Sequence, residues 1–388
     1  MKRATLRGEE RTPLDERPDV LICGASFAGL ALARELRGSG ADVLIVDRYE
    51  IGERATSACA APTPWLHAMG VQDSIRQQIP CMAFHTPHGS ARFRLPWSWS
   101  SFEYRALCEQ LFAQTDARFA IAKVEGRTGR TVHTDRGDLT APFIVDALGW
   151  KRVLAGHYQP PDAPLSRGLE VHPHGASTDL DVWIDRSLVR FGYAWSVPAA
   201  GEQRIGVGSY EPRHHVKQPT QDIAARLERE AVRYQGNWFP HRLRPATEDG
   251  VFFAGDSAGH CLPLSGEGIR TAFYFGIAAG REIARAHRGE QTREQALARY
   301  HAFSARHRPV YELARGLQHA IPRLPPKALT RLLRLTGRRR PCTAIFGWYL
   351  TFASPKFAIA QRNQGLGRQM RELPCRPSSS TPARASTP

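Results

Sequence analysis

The chain has 388 residues, 42% of them hydrophobic, which is enough for one large domain or two ordinary domains with a real core. Its formal net charge of +16 is compatible with an anionic partner such as a lipid surface or a nucleic acid. Its seven cysteines include no Cys-x-x-Cys pair, which argues against a disulfide framework, a zinc site or an iron–sulfur site, so no metal is predicted. Residues 1–18 are charged and lack the apolar core of a signal peptide, so we predict a disordered arm and a reducing, cytoplasmic setting.

The first structured stretch, residues 19–47, predicts a strand, a tight turn, a helix and a second strand. A buried apolar strand runs straight into small residues, with Gly24 suited to the turn and Gly29 suited to close packing of helix on sheet. The second strand stops at Asp47, where a carboxylate can hold a ribose hydroxyl. We therefore predict a dinucleotide site whose candidate contacts are Gly24, Ser26, Phe27, Ala28, Gly29, Asp47 and Arg48.

A run of small side chains over residues 55–62 lets the backbone lie against something flat. Cys59 is the one reactive group in this run, and the alternative is that it is simply a buried core residue. Residues 81–95 predict two strands joined by a turn, and the aromatic residues at 97–104 after them either line an apolar pocket or pack as ordinary core.

A helix is predicted over residues 102–114, and Arg105 near its start is a further candidate cofactor contact. Strands follow at 119–124, 131–134 and 143–145. The last of these ends at Asp146, and Gly149 follows in a turn. This pattern, a buried strand followed by a carboxylate and a glycine turn, is similar to that of residues 19–47.

Residues 165–210 are predicted to form antiparallel strands. Strand alternation places Tyr193 and Trp195 on one face, and Pro198 ends that strand. Gly206 and Gly208 share one face of the next strand and leave it bare, which favours a smooth floor beside two rings, suited to a flat or long apolar ligand. The alternative is two core aromatic residues beside two strand glycines.

A third strand end with a carboxylate appears near residue 250, after a helix predicted over 221–235. A buried strand at 251–254 leads into a glycine-rich segment and then into a long helix that ends near residue 286. The candidate residues here are Gly255, Asp256, His260, Gly266, Glu267, Gly268 and Ile269. Three carboxylate–glycine strand ends in this order predict one large dinucleotide laid across the sheet.

These motifs resemble FAD-dependent oxidoreductases of the p-hydroxybenzoate hydroxylase fold over about residues 19–286. Residues 24–29 are similar to the first FAD motif of that family, residues 146–149 to a variant of its Asp-Gly motif, and residues 255–268 to its Gly-Asp motif. The resemblance implies an α/β fold, an aspartate on the ribityl chain of FAD and helix-start amides near the flavin ring. Only one nucleotide fingerprint is present, which agrees with a family that has no separate nicotinamide domain.

After the N-terminal arm, the predicted organisation has three parts and a tail. These are a discontinuous Rossmann-like FAD-binding domain (residues 19–80, 101–155 and 245–320), an antiparallel β-sheet substrate domain (81–100 and 156–244), a basic helical C-terminal region (321–373) and a disordered tail (374–388).

Within this fold, one pattern resembles the substrate-domain signature of geranylgeranyl reductases, flavoproteins that saturate isoprenoid double bonds. The matching residues are Tyr193, Trp195 and Pro198, followed after seven residues by Gly206 and Gly208. Cys59 falls where that family often carries a cysteine beside the flavin. The chain departs from the family at Val197, where an aromatic residue is usual, and at Gly149, the displaced second glycine of the Asp-Gly motif. Halogenases carry a related Trp-x-Trp-x-Ile-Pro, and Tyr193 in the first place favours the reductase.

The resemblance implies an enzyme that moves a hydride from reduced FAD to one alkene carbon of a polyprenyl chain. The other carbon then needs a proton, and Cys59, or failing it Glu267 or His260, is the candidate donor. His260 is otherwise a packing residue, and Glu267 otherwise orients the turn. NAD(P)H or another reductant would supply the electrons. The competing hypothesis is a flavin monooxygenase or halogenase that acts on an aromatic ring.

The C-terminal region suggests a binding function of another kind. Residues 321–388 hold thirteen Lys or Arg and one acidic residue, so they carry twelve of the sixteen net charges. Leucines lie among arginines in residues 325–340, which favours an interfacial helix on an anionic membrane, and the interrupted apolar stretch 342–360 is unsuited to a spanning helix. The alternative is a solvated basic helix that packs on the FAD-binding domain. Nucleic acid is disfavoured because no recognised binding module accompanies the charge.

Overall fold

The computed structural model describes residues 12–55, 58–160 and 164–359. Most of the predicted N-terminal arm and the whole of the predicted tail lie outside the described residues. The last part of the arm is in contact with the rest of the protein. Leu14 is buried, and its N–H donates to the carbonyl of Arg136 at 2.7 Å.

The described residues form ten helices, which make up most of the C-terminal third of the described chain. They are α1 Phe27–Leu36, α2 Thr63–Ala68, α3 Tyr104–Phe112, α4 Lys217–Arg226, α5 Ile269–His287, α6 Arg293–Ala305, α7 Arg308–Ala320, α8 Pro326–Thr336, α9 Arg339–Thr351 and α10 Lys356–Ile359. Short 3₁₀ turns lie at Gln72–Ser74, Gly255–Ala258 and Ile321–Arg323.

Three sheets are formed by the strands of the described residues. The strands are β1 Val20–Cys23, β2 Val43–Asp47, β3 Ala60–Pro62, β4 Ile75–Thr86, β5 Gly89–Phe102, β6 Arg118–Ile121, β7 Val124–Thr128, β8 Thr131–Thr134, β9 Gly137–Thr140, β10 Phe143–Asp146, β11 Leu165–Val171, β12 Leu180–Trp183, β13 Gly192–Pro198, β14 Gln203–Ser209, β15 Gln235–Pro240, β16 Thr247–Glu248 and β17 Val251–Phe253.

The first sheet has the order β16-β17-β10-β1-β2-β6 and is parallel apart from β16. Its strands β1, β2 and β10 are apolar and almost wholly buried, as expected for a parallel sheet that is covered on both faces. Val132 and Leu139 of the small sheet β7–β9 belong to the same core. Helices α1 and α5 pack closely on one face. A Cβ at Gly276 would lie 2.5 Å from the carbonyl oxygen of Ala28, so only glycine allows this approach.

The second sheet has the order β15-β11-β14-β13-β12-β4-β5-β3 and is antiparallel except where β12 runs beside β4. Strands β7 to β9 form a third, small sheet. Of the aromatic residues predicted to follow a strand, Trp97, Trp99 and Phe102 instead lie inside β5, and Tyr104 begins α3. Long strands with a bulge near Ile79 carry Trp97 and Trp99 along the sheet.

The helix predicted over 221–235 is wrong in its second half. Helix α4 ends at Arg226, and Glu228 and Arg233 both have positive φ, which stops a right-handed helix. Residues 235–240 then pair with β11 as an edge strand. Sheet pairing has overridden the helical spacing of the apolar residues in this segment.

The C-terminal helices pack on the second sheet and return to the first. Trp97 donates from its indole Nε1 to the carbonyl of Phe346 at 3.0 Å, which holds α9 against β5. Beyond α9, the indole of Trp65 donates to the carbonyl of Ala353 at 2.8 Å, and Arg281 donates to the carbonyl of Phe357 at 2.8 Å. Within the described ranges, none of the helices has the length and apolar character that crossing a membrane requires.

Candidate functional site

A cavity of about 1020 Å³ lies between the carboxyl ends of the parallel strands, one face of the second sheet and the C-terminal helices. Its wall changes character along its length. One end is bordered by Ser26, Asp47 and Arg48, and the other by apolar side chains such as Phe84 and Leu333. A ligand with a polar, phosphate-bearing end and an apolar end would match this gradient.

The turn between β1 and α1 has no room for a side chain at its two glycines, Gly24 and Gly29. Gly24 has φ +116°, and a Cβ on it would lie 2.3 Å from the carbonyl oxygen of Ala147. A Cβ on Gly29 would lie 2.0 Å from the carbonyl oxygen of Gly24. Ser26 lines the cavity, and its Oγ accepts a hydrogen bond from the hydroxyl of Tyr104 at 2.9 Å. The helix N-terminus therefore presents bare backbone N–H groups to the cavity, as anion binding requires.

Asp47 ends β2 at the cavity wall. Its carboxylate accepts from the N–H groups of Ala25 at 2.8 Å and Tyr49 at 3.2 Å. Burial raises the pKa of Asp47, and these two N–H groups oppose that rise. Arg48 beside it also lines the cavity, with its guanidinium 4.8 Å from the ring centre of Tyr49.

Asp146 has a different position from the other two strand-end carboxylates. It is fully buried, and its carboxylate accepts from Leu148 N–H at 3.0 Å, Leu154 N–H at 2.8 Å and Ser257 Oγ at 2.6 Å. Its side chain is therefore turned into the 147–154 loop, and Gly149 of that loop lines the cavity. We interpret Asp146 as the residue that shapes this loop.

Asp256 follows β17 and lines the cavity next to Gly255. Its carboxylate accepts no hydrogen bond from the residues that the structure describes, and Arg244 is the cation that acts on it. Burial raises the pKa of Asp256 to about 6. A carboxylate facing a cavity with free acceptor atoms suits a ligand that carries hydroxyl groups.

The stability of the cofactor-free protein should depend on the protonation of Asp256. Because its folded-state pKa of about 6 lies above the ordinary value of 3.8, the folded chain holds a proton that the unfolded chain has released. The stabilisation from Asp256 is therefore complete below about pH 4 and lost as the pH rises through about 6. We expect Asp256→Asn to melt at a higher temperature than wild type at pH 7 and to show a smaller advantage at pH 4. Thermal unfolding of both apoproteins from pH 3.5 to 7.5 measures this, and an advantage that does not grow with pH would contradict it.

The turn at residues 265–268 borders the cavity at the start of α5. Gly266 has φ +64°, and a Cβ there would meet the hydroxyl of Tyr193 at 3.1 Å. The carboxylate of Glu267 forms a bidentate pair with Arg270, with Nε–Oε1 and Nη2–Oε2 distances of 2.7 Å. It also accepts a hydrogen bond from the hydroxyl of Tyr349. Of the predicted residues in this segment, Gly255, Asp256, Gly266, Glu267, Gly268 and Ile269 all line the cavity.

Tyr193 and Trp195 lie on one face of β13 and both line the cavity, with ring centres 5.8 Å apart. The bare floor predicted at Gly206 and Gly208 is not free for a ligand, because the indole of Trp195 lies across it. A Cβ on Gly206 would lie 2.4 Å from that ring, and one on Gly208 would lie 3.3 Å from it. The two glycines thus make room for Trp195, and Pro198 ends the strand away from the cavity wall.

Three other predicted residues are outside the set of cavity-lining residues. Cys59 is buried and has φ +50°, and although Ala58 and Ala60 line the cavity, Cys59 does not. Burial raises the pKa of its thiol to about 12. His260 is fully buried, stacks on Phe275 with ring centres 3.7 Å apart, and bonds Ser304 through Nε2 at 3.0 Å. Arg105 is exposed, while its neighbour Tyr104 lines the cavity.

The C-terminal helices form one wall of the cavity, which the sequence analysis did not predict. Their lining residues are Leu329, Leu332, Leu333, Thr336, Ile345, Phe346 and Tyr349. The leucine spacing in α8 predicts an apolar face, which suits a lipid surface or packing on the rest of the protein. In the structure, Leu329 is buried and Leu333 packs on the apolar cluster of β5, with the Thr330 and Thr86 hydroxyls 2.6 Å apart at the contact between α8 and β4.

Comparisons with known proteins agree with a dinucleotide-binding fold. No protein-family model matches the chain. It is similar to a digeranylgeranylglycerophospholipid reductase of Methanopyrus kandleri, with 25% identity over 357 residues that cover 81% of this chain and 93% of the relative. A solved geranylgeranyl bacteriochlorophyll reductase-like protein of Thermoplasma acidophilum superposes with a TM-score of 0.77 at 16% identity, over 90% of this chain and 99% of that one. The flavin-dependent brominase Bmp2 superposes with a TM-score of 0.61 at 15% identity, over 88% of this chain and 100% of that one.

These similarities confirm the predicted fold class and the predicted resemblance to FAD-dependent enzymes of the geranylgeranyl reductase type. The residues present also fit FAD. The glycine turn at Gly24 and Gly29 leaves space and N–H groups for a pyrophosphate, and Asp47 ends β2 at the cavity wall, with a carboxylate suited to a ribose hydroxyl. Asp256 has free carboxylate oxygens for ribityl hydroxyls. The apolar part of the cavity continues beyond the turn at 265–268.

Proposed function

We propose that the protein is an FAD-dependent oxidoreductase that reduces carbon–carbon double bonds of an isoprenoid chain. The observation that carries this proposal is the continuity of one cavity from the dinucleotide-type turn to a wall of Phe84, Phe93, Leu333 and Phe346. Such a wall suits a long hydrocarbon and offers few groups for recognising a polar ring. The name of the Methanopyrus relative supports an isoprenoid substrate.

Reduced FAD would supply the hydride, with NAD(P)H or another reductant as its electron source. We propose that the residues of this chain then have three tasks. The cavity-lining cofactor residues hold the dinucleotide, Tyr193 and Trp195 orient the chain, and α8 and α9 exclude water. Of the three predicted proton donors, Glu267 is the one on the cavity wall, but both of its carboxylate oxygens are paired with Arg270, so we propose that it orients the turn and does not donate the proton. Cys59→Ala and His260→Ala, both behind that wall, test the other two donors.

A second candidate is a flavin monooxygenase or halogenase that acts on an aromatic substrate, which the shared fold with a brominase favours. The two reactions differ in their need for oxygen. Anaerobic incubation of the reduced holoenzyme with geranylgeraniol, followed by mass analysis, should give products heavier by two hydrogens per bond reduced. Substrate-dependent oxygen consumption, with no product formed anaerobically, would instead support the monooxygenase or halogenase.

We also propose that the protein is cytoplasmic and associates peripherally with an anionic membrane through the C-terminal helices. Most of the large apolar side chains exposed in the described part of the chain lie here, namely Leu313, Leu317, Leu332, Leu335, Ile345, Trp348 and Ile359. Leu332 and Ile345 are exposed and also line the cavity, so the cavity opens on this surface. Exposed arginines lie on the same helices, at positions 331, 334, 338, 339 and 340. This arrangement would let a lipid-borne chain enter from the bilayer.

Negative charge introduced on this surface should weaken binding to an anionic membrane. Leu335 and Trp348 are 52% and 58% exposed, so aspartate is tolerated there by the fold but opposes insertion into the interface. We expect the double variant Leu335→Asp/Trp348→Asp to bind phosphatidylglycerol vesicles about tenfold more weakly than wild type in co-sedimentation. Tyr158→Asp is the matched control, because Tyr158 is 55% exposed elsewhere in the fold. Equal loss in both variants would contradict the proposed surface.

A further inference from the structure

We infer that Tyr349 is a positioning residue that couples the occupancy of the apolar part of the cavity to the turn at residues 265–268. Tyr349 belongs to α9, in the C-terminal region, yet its hydroxyl bonds the carboxylate of Glu267 and lies 3.4 Å from Ser265 Oγ. Burial and the negative charge of Glu267 raise the pKa of Tyr349, so its hydroxyl keeps its proton and donates. The inference rests on the proposed function, which puts flavin beside this turn and an apolar chain beside α9.

The Glu267–Arg270 pair to which the Tyr349 hydroxyl bonds is shielded from water. The side chains of Arg270 and Glu267 are 0% and 3% exposed, so water cannot replace a hydrogen bond lost from this pair. Arg270 also donates to the carbonyls of Tyr349, at 3.3 Å, and Phe352, and its guanidinium lies 4.6 Å from the ring centre of Tyr349. Arg270 thus donates to carbonyls at the C-terminal end of α9 while it is paired with Glu267 of the turn. A cation is favourable at a helix C-terminus.

The other side of Tyr349 faces the substrate part of the cavity. Its ring is nearly parallel to that of Trp97, at 14° with centres 6.5 Å apart, and lies 6.3 Å from the ring of Phe346. Phe346 and Ile345 of the same helix line the cavity. A chain that fills this part of the cavity must touch α9, and α9 is joined to the turn through the Tyr349 hydroxyl. Tyr193 donates to this turn from the sheet, at Ser265 O (2.5 Å), and Tyr210 donates to the residue before it, at Leu264 O (2.7 Å).

The Tyr349→Phe variant keeps the ring and removes only the hydroxyl, so we expect it to fold and to retain FAD. Adding geranylgeraniol to the oxidised wild-type holoenzyme is expected to perturb the flavin absorbance bands in a saturable manner. In Tyr349→Phe this difference spectrum should be lost. In the same variant, the plateau rate at which geranylgeraniol reoxidises pre-reduced flavin should fall about tenfold, the size expected for one hydrogen bond to a charged group. The half-saturating concentration should change by less than about threefold, because the apolar contacts remain.

Tyr311→Phe is the matched control. Tyr311 is a buried tyrosine of α7 whose hydroxyl donates to the carbonyl of His260 at 2.6 Å, and it does not line the cavity. Its variant should keep the difference spectrum. The inference is overturned if Tyr349→Phe keeps both the spectrum and the plateau rate, if the half-saturating concentration alone changes, or if Tyr311→Phe loses the spectrum equally. It is also overturned if wild type shows no difference spectrum. Should geranylgeraniol perturb the wild-type flavin in a Tyr349-dependent manner but never reoxidise it, the coupling stands and the proposed reductase function fails.

Discussion

Gly29→Ala is expected to abolish FAD binding and to lower the free energy of unfolding by about 3 kcal/mol, the upper end for overpacking a close contact. The reason is geometric. A Cβ at this helical position would lie 2.0 Å from the backbone oxygen of Gly24 and 3.3 Å from Ile22 Cγ2. Backbone cannot yield as a flexible side chain can, so α1 must move away from the sheet and carry its N-terminal amides out of position. Flavin absorbance per protein and urea unfolding of the apoprotein measure the two effects.

Gly316→Ala is the matched control for this substitution. Gly316 also lies inside a helix, α7, but an added Cβ there would meet nothing within 4 Å. Because alanine favours helix over glycine, we expect this variant to be as stable as wild type or up to about 1 kcal/mol more stable, with normal FAD content. If both variants lost FAD to the same extent, close packing at Gly29 would not be the cause.

Arg270→Met is expected to destabilise the protein by about 3–5 kcal/mol, because it leaves the carboxylate of Glu267 buried without its cation. The same change removes the donor to the carbonyls of Tyr349 and Phe352, so α9 should also detach more easily from the turn. Urea unfolding gives the loss of stability, and limited proteolysis between α9 and α10 reports the detachment.

Arg288→Met serves as the control for Arg270→Met. Arg288 pairs with Glu290 at 2.6 Å, but both side chains are about half exposed, so solvent replaces the interaction. The unfolding midpoint of this variant should stay close to that of wild type. A similar loss in both variants would mean that burial of the Glu267 pair is not what makes Arg270 important.

The parallel sheet could be predicted from the sequence almost strand by strand. Its strands are short apolar runs with clear ends, and the observed register puts Cys23 beside both Val46 and Asp146, with Asp146 beside Phe253. The carboxyl ends of these strands therefore lie at one edge of the sheet, as predicted from the three strands that end at an aspartate. The sequence could not show that Asp146 turns into its own loop, because that depends on N–H groups of residues 148 and 154 and on Ser257, which the fold brings to it.

The apolar half of the site was harder to predict because it depends on long-range packing. Strand alternation correctly places Tyr193 and Trp195 on one face, but which face of Gly206 the indole covers depends on the pairing of β13 with β14. The leucines of α8 have the same spacing whether they face lipid, a sheet or both. Only the contact with β4 and β5 shows that the helix closes a cavity on one side and is exposed on the other.

The hydrogen bond from Trp65 to Ala353 joins residues 288 positions apart, and this separation bears on how the chain folds during synthesis. The central parallel sheet lacks β17 until residue 253 has been made, and the outer wall of the cavity lacks α8 and α9 until residue 351 has been made. Contacts between such distant segments form late and slowly. Until translation is nearly finished, the apolar faces of β4 and β5 have no covering helix and depend on other protection from aggregation.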